Sequence, residues 1–133
     1  MDGGSRGGFI PLAHRGGNPR LRKLTGSSLA ASDYDTICLV DIEKRTLTAS
    51  DVLQPPAPPN TAQFIGDYTF GTSALAVARP FSGDVIRLDP TSLAVLERAT
   101  VAGEPLSICM VSERAFVTRD WKTGVVGEGT FAY

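Results

Sequence analysis

The chain has 133 residues, a net charge of −1 and 42% hydrophobic residues, the balance of a folded globular domain or part of one. A charge so close to zero excludes a chain-wide basic surface, so we expect no nucleic-acid partner. No apolar run approaches the roughly 20 residues of a membrane-spanning helix, so we expect no membrane partner either.

The segment 1–32 differs in composition from the rest of the chain. It holds seven of the fourteen glycines, and its five basic residues face a single acid, Asp2. Its apolar side chains follow no period, so we predict a flexible, mildly basic arm over residues 1–32. A nucleic-acid-binding or transit-type tail is the alternative, which the wide spacing of the charges disfavours. No apolar stretch typical of a secretory signal follows Met1, so a cytoplasmic location is the default expectation.

From Asp33 onward, short β-rich runs alternate with turn residues. Residues 36–40 are apolar on both faces, as in a covered strand, whereas residues 46–53 are more polar and alternating, as in an outer strand. Residues 54–60 contain four prolines, which predicts a stiff, extended loop, with a proline-rich ligand for a recognition domain as the alternative. Further strands are predicted at 62–68, 73–78, 84–88, 94–101, 106–111 and 115–119. Strands at this spacing are typical of an all-β sandwich, barrel or propeller.

An internal repeat favours the propeller. Aligning residues 37–41 with residues 85–89 matches two apolar runs that each end in aspartate. Aligning residues 75–79 with residues 115–119 pairs Arg79 with Arg119 and, just beyond the strands, Phe81 with Trp121. A period of 40–48 residues that holds about four strands is the size of one propeller blade.

Residues 75–90, Leu-Ala-Val-Ala-Arg-Pro-Phe-Ser-Gly-Asp-Val-Ile-Arg-Leu-Asp-Pro, resemble the repeat of the YVTN-type propellers, which share a superfamily with the quinoprotein amine dehydrogenases. That repeat runs apolar strand, Asn or Arg, turn, Gly, apolar strand and Asp-Pro, then a strand, Gly-x-Pro and an inner strand. Residues 91–111 continue in the same order, and the resemblance covers residues 34–124. It implies four-stranded antiparallel blades packed face to face.

We therefore predict an all-β, partial β-propeller over residues 33–133. It would hold about two blades: an outer half at 36–53, a full blade at 61–101 and an inner half at 106–120. The repeat decays after Gly124, and a closed propeller needs about 4–8 blades. Because open sheet faces and edges invite association, we expect self-association, which includes a ring of several copies, or a protein partner. The alternative is that the chain is a truncated gene product.

Few residues have the chemistry of a catalytic or metal site. One histidine, His14, and two cysteines leave almost no metal ligands, so we expect no metal, no cofactor and no catalytic residue. Cys38 and Cys109 each lie in an apolar run and are predicted to be buried free thiols, with a disulfide left open. Asp41 and Asp89 are predicted to accept backbone hydrogen bonds at strand ends.

Four residues are candidates for a weak binding site. Arg79 and Arg119 would end equivalent strands at a rim, where two guanidinium groups could hold a carboxylate or phosphate. The alternative is that they pair with turns and carboxylates of their own blade. Phe81 and Trp121 would stack a ligand or pack between blades. The predicted function is a non-catalytic interaction module, or a truncated propeller fragment, that binds a protein through blade rims and loops. The alternative is an inactive fragment of a propeller enzyme, a quinoprotein-like oxidoreductase or a lactonase-like hydrolase.

Overall fold

The computed structural model describes residues 20–33, 35–53, 64–71 and 73–132. Within these ranges the chain forms eleven strands: β1 (Arg20–Lys23), β2 (Ser28–Asp33), β3 (Thr36–Asp41), β4 (Thr46–Val52), β5 (Tyr68–Phe70), β6 (Leu75–Arg79), β7 (Asp84–Leu88), β8 (Val95–Thr100), β9 (Pro105–Met110), β10 (Ala115–Asp120) and β11 (Val126–Thr130). In this part of the chain no helix is long and apolar enough to cross a bilayer.

The strands form three antiparallel sheets in chain order. The first sheet is β1-β2-β3-β4, the second is β5-β6-β7-β8, and the third is β9-β10-β11. The inner strand β9 of the third sheet contacts β5 and β6 of the second. The all-β partial propeller is confirmed, but it holds three sheets rather than about two blades.

The predicted repeat between the first two sheets is confirmed by strand register. Val40 lies opposite Leu47 and Leu88 lies opposite Val95, and a β-bulge precedes each pair. At the strand ends, Asp89 accepts backbone hydrogen bonds from residues 91 and 92, and Asp41 accepts one from residue 44. These bonds lower the pKa of both carboxyl groups, which confirms the predicted turn role.

The repeat between the second and third sheets is one position longer than predicted. Ala78 lies opposite Val85, and the corresponding pair in the third sheet is Arg119 opposite Val126. Arg119 therefore corresponds to Ala78, and the position of Arg79 is taken by Asp120. The predicted pairing of the two arginines is wrong, because a slip of one residue moves a side chain to the opposite face of a sheet. The predicted pairing of Phe81 with Trp121 fails for the same reason.

The predicted arm over residues 1–32 is corrected from Arg20 onward. Strands β1 and β2 pair with each other and complete the first sheet. The sequence pattern does not reveal these strands because β1 is mostly basic and β2 consists mostly of small residues, of which Ala30 and Ala31 are buried. The Tyr68 hydroxyl donates to the backbone oxygens of Arg20 and Ala30, at 2.7 and 3.3 Å, and so ties β5 to both strands. The predictions for residues 1–19 and for the proline-rich loop lie outside the described residues.

The core fills two layers between neighbouring sheets. One layer, between the first and second sheets, includes Leu39, Tyr68 and Val77. The other, between the second and third sheets, includes Phe116 and Phe131, whose ring centroids lie 5.0 Å apart. Side chains from facing sheets therefore interlock in both layers, as in stacked blades.

The predicted decay of the repeat after Gly124 is wrong, because residues 126–130 form β11. This strand is hard to find in the sequence because its core-facing positions are Gly127 and Gly129. A Cβ atom at Gly129 would lie 2.6 Å from Cζ of Phe116, so the phenyl ring fills the space that a side chain would need.

Both cysteines are free, and they differ in exposure. Cys38 is buried in β3, as predicted, whereas Cys109 is exposed on β9. Its neighbour Ile108 faces the second sheet, so Cys109 points to the opposite face of the third sheet. That face is open, which corrects the prediction that both thiols are buried.

Candidate functional site: a rim surface at one end of the sheets

Connections from the second and third sheets converge at one end of the structure. The β6–β7 turn, the β10–β11 turn, the β8–β9 loop and the segment before β5 all lie there. They bring together five side chains, which we call the rim surface: Phe64, Phe81, Glu104, Trp121 and Lys122. The rim surface therefore combines aromatic rings with two opposite charges.

The three rings of the rim surface form one cluster. The ring centroid of Phe64 lies 5.1 Å from that of Phe81 and 6.0 Å from that of Trp121, both in edge-to-face geometry. Such packing favours a fixed arrangement of the rings. Trp121 remains 42% exposed and Phe81 37% exposed, so the cluster presents apolar area to a ligand.

A charged pair borders this cluster. The indole Nε1 of Trp121 donates to Oε1 of Glu104 at 3.3 Å, and Nζ of Lys122 lies 2.8 Å from Oε2 of the same carboxylate. The ammonium group also lies 5.5 Å from the centre of the Trp121 ring. The hydrogen bond and charge of Glu104 raise the pKa of Lys122 above its ordinary value.

Asp120 holds the two loops of the rim surface together. Its Oδ2 accepts from the backbone N–H of Glu104 at 2.7 Å, and its Oδ1 accepts from those of Lys122 and Thr123 at 2.8 and 2.9 Å. These bonds lower the pKa of Asp120 to about 2. The bond to residue 104 requires glycine at position 103, where φ is +82° and a Cβ atom would collide with the Asp120 carboxylate.

We expect the Asp120→Asn variant to show the pH dependence that follows from this anchor. Because the folded pKa lies below the ordinary 3.8, the carboxylate stabilises the fold above about pH 4 and loses this effect as the pH falls towards 2. The variant should therefore be less stable than the wild type at pH 6, and the difference should shrink between pH 4 and pH 2. Urea denaturation over this pH range measures it, and a constant difference would contradict the anchor.

Arg79 is engaged within the second sheet. Its Nε and Nη2 donate to the two oxygens of Asp84 at 2.8 and 2.7 Å, and its Nη1 donates to the backbone oxygen of Leu53 at 2.8 Å. Arg98 adds a contact of 3.1 Å to Asp84. The guanidinium thus links the first sheet to the second. A shallow groove of about 600 Å³ lies beside this network, with Phe81 on its wall.

Arg119 lies on the open face of the third sheet. Its side chain is exposed and lies over the turn at Gly124, and no described residue forms a hydrogen bond or ion pair with it. The two predicted arginines therefore occupy different environments. Phe81 and Trp121, by contrast, do come together, through Phe64.

Three residues of the rim surface were missed in the sequence. Phe64 follows the proline-rich loop and was not among the residues matched between blades in the sequence, so only the fold places it beside the other rings. Glu104 and Lys122 lie in turns, where charged residues are common. The one signal in the sequence was that Glu104 is the middle residue of the predicted Gly-x-Pro motif.

The three stacked antiparallel sheets define an unclosed, propeller-like fold. Among solved structures, the chain is similar to the computationally designed Ika4 protein, with 12% identity, a TM-score of 0.60 and coverage of 83% of this chain and 63% of that one. It is also similar to AztD from Citrobacter koseri, with 14% identity, a TM-score of 0.56 and coverage of 91% and 28%.

A third similar structure is the β-propeller domain of Cps50 (Swd1) from Myceliophteria thermophila, with 12% identity, a TM-score of 0.55 and coverage of 85% and 41%. The chain spans less than two thirds of the length of each of these structures. Identities this low show the fold alone, which is β-propeller-like. No protein-family profile matches the chain. No curated protein sequence matches it either.

Proposed function

We propose that this chain is a non-catalytic, propeller-like interaction module that binds a protein partner through the rim surface. The observation that carries the proposal is the cluster of Phe64, Phe81 and Trp121, partly exposed at the end of the sheets and bordered by Glu104 and Lys122. Aromatic side chains ringed by polar groups supply most of the binding free energy at many protein interfaces.

The backbone around the rim surface supports this proposal. Two contacts hold the two loops in one arrangement. They are the hydrogen bonds of Asp120 and a backbone hydrogen bond from the amide N–H of Trp121 to the carbonyl oxygen of Glu104, at 3.2 Å. A surface that is already ordered loses little conformational entropy when a partner binds. The rim surface is therefore suited to bind without rearrangement.

Arg119 is the arginine that we assign to partner binding. Its guanidinium is exposed, whereas that of Arg79 is bound to Asp84. A carboxylate on the partner could form a bidentate pair with Arg119, close to the β10–β11 turn that carries Trp121. Arg79 instead shapes the adjoining groove and supports the turn that carries Phe81.

A comparison of binding variants tests the proposal. The full chain is immobilised and exposed to a lysate of its source organism, and we expect it to retain a partner protein. Recovery of this partner should fall at least about tenfold in the Phe81→Ala/Trp121→Ala variant. Quantitative mass spectrometry measures recovery, and circular dichroism checks the fold.

Val111→Ala is the matched control, because Val111 is 62% exposed in the turn at the opposite end of the third sheet. Its recovery of the partner should equal that of the wild type. Equal recovery by all three proteins would contradict a role for the rim surface.

We also infer that the repeat is of the YVTN type. The order that supports this is β6 ending in Arg79, a turn with a left-handed glycine at Gly83, then β7 and Asp89-Pro90. A library of single substitutions scored for folding tests it. Residues 83 and 89 should tolerate few replacements, and broad tolerance at both would contradict the inference.

A further inference from the structure

Among the described strands, none takes the place in the third sheet that the outer strands occupy in the other two sheets. In the first and second sheets, β4 and β8 pair along the outside of β3 and β7. In the third sheet, β11 takes the position of β7, and no described strand pairs with its outer edge. The backbone N–H and C=O groups along such an edge are available to another extended chain.

The face of the third sheet that points away from the second sheet is also exposed. Val126 corresponds to Val85 in the repeat, because Val126 lies opposite Arg119 and Val85 lies opposite Ala78, and these two partners occupy the same repeat position. Val85 is fully buried, whereas Val126 is 66% exposed. The same position of the repeat is thus covered in the second sheet and open in the third.

The second sheet indicates which side chains an added strand would carry. In that sheet Arg87 of β7 lies opposite Glu97 of β8, with an ion pair at 3.8 Å, and Val85 lies opposite Ala99. Glu128 of β11 corresponds to Arg87, so the charge at this position is reversed. Glu128 is exposed, and no described residue forms an ion pair with it. A basic side chain opposite Glu128 would complete the pair.

We propose that the outer edge of β11 binds an extended segment of a partner protein as an added antiparallel strand. The segment carries a lysine or arginine opposite Glu128 and, two residues later in its own chain, a small apolar side chain opposite Val126. Backbone hydrogen bonds provide the affinity and these two positions provide the specificity. A second copy that pairs through the same strand in full register would place two Glu128 carboxylates opposite each other, which is unfavourable. The proposal does not depend on binding at the rim surface.

Two synthetic peptides test this proposal with the full chain. Both are fluorescein-labelled ten-residue peptides of alternating threonine and valine. One carries a central lysine and the other a central glutamate, and in each peptide this residue lies two positions before a valine. We expect fluorescence anisotropy to show that the lysine peptide binds about fivefold more tightly than the glutamate peptide, because opposite charges across a strand pair are favoured. The Glu128→Lys variant should reverse this preference.

A third peptide separates strand addition from simple charge attraction. N-methylation of alternate amides in the lysine peptide removes backbone donors while the charge remains, and we expect it to abolish binding. Equal affinities for the two charge variants, an unchanged preference in Glu128→Lys, or full binding of the methylated peptide would overturn the proposal. Light scattering that shows a dimer sensitive to Glu128→Lys would also overturn it, because the edge would then belong to a second copy. Because Glu128 is exposed, circular dichroism should show that the variant folds.

Discussion

Replacing Asp84 by alanine should lower the free energy of unfolding by about 3–5 kcal/mol, the cost of leaving a buried charge without its partner. The side chains of Arg79 and Asp84 are only 12% and 4% exposed and form two parallel hydrogen bonds. Without the carboxylate, the Arg79 guanidinium would remain at the boundary of the first and second sheets, with the Leu53 oxygen as its one acceptor among the described residues. Urea denaturation followed by tryptophan fluorescence measures the effect.

Arg119→Ala is the matched control for this experiment. Its guanidinium is exposed and has no described partner, so its removal should change stability by less than about 0.5 kcal/mol. Arg79→Ala should also destabilise the fold, but less than Asp84→Ala, because Asp84 keeps its contact with Arg98 at 3.1 Å. Equal, small effects in all three variants would show that the ion pair between Arg79 and Asp84 is no stronger than an exposed one.

Replacing Tyr68 by alanine should destabilise the fold by about 3–5 kcal/mol, the range for loss of a large buried aromatic side chain. Tyr68 is fully buried between the first two sheets, and its hydroxyl binds backbone oxygens of β1 and β2. The guanidinium of Arg22 also lies 5.7 Å from the ring centre. The loss therefore removes both core packing and the attachment of β1.

Tyr68→Phe separates these two contributions. It keeps the ring and removes the hydroxyl, so we expect a loss of about 1 kcal/mol. We also expect faster hydrogen exchange in β1, because the bond to the Arg20 oxygen at 2.7 Å is lost. If Tyr68→Phe left exchange in β1 unchanged, the hydroxyl would not anchor this strand.

The fold class could be predicted because its signals are local and periodic. The apolar runs of β3 and β7, one ending in Asp41 and the other followed by Asp89, repeat at a spacing that strand register confirms. Turn residues between them indicated antiparallel neighbours. The count of sheets failed where these signals are absent, in the basic β1 and in β11, whose core-facing glycines, Gly127 and Gly129, lie against Thr118 and Phe116.

The site was less predictable because it depends on contacts between distant turns. Phe81 and Trp121 were proposed from the repeat alignment, but the ring that joins them, Phe64, was not among the aligned residues. The arginines failed for a geometric reason. The alignment of Arg79 with Arg119 is off by one position, and a single step along a strand decides which face a side chain occupies.

Hydrogen exchange of the full chain, followed by mass spectrometry, tests the central claim that the third sheet is open. Strands β7 and β11 occupy the same repeat position, but only β7 is paired on both sides by described strands. We predict that the amides of β3 and β7 exchange slowest and that those of β11 exchange much faster. Equal protection of β7 and β11 would contradict the account, because it would mean that the outer edge of β11 is already paired.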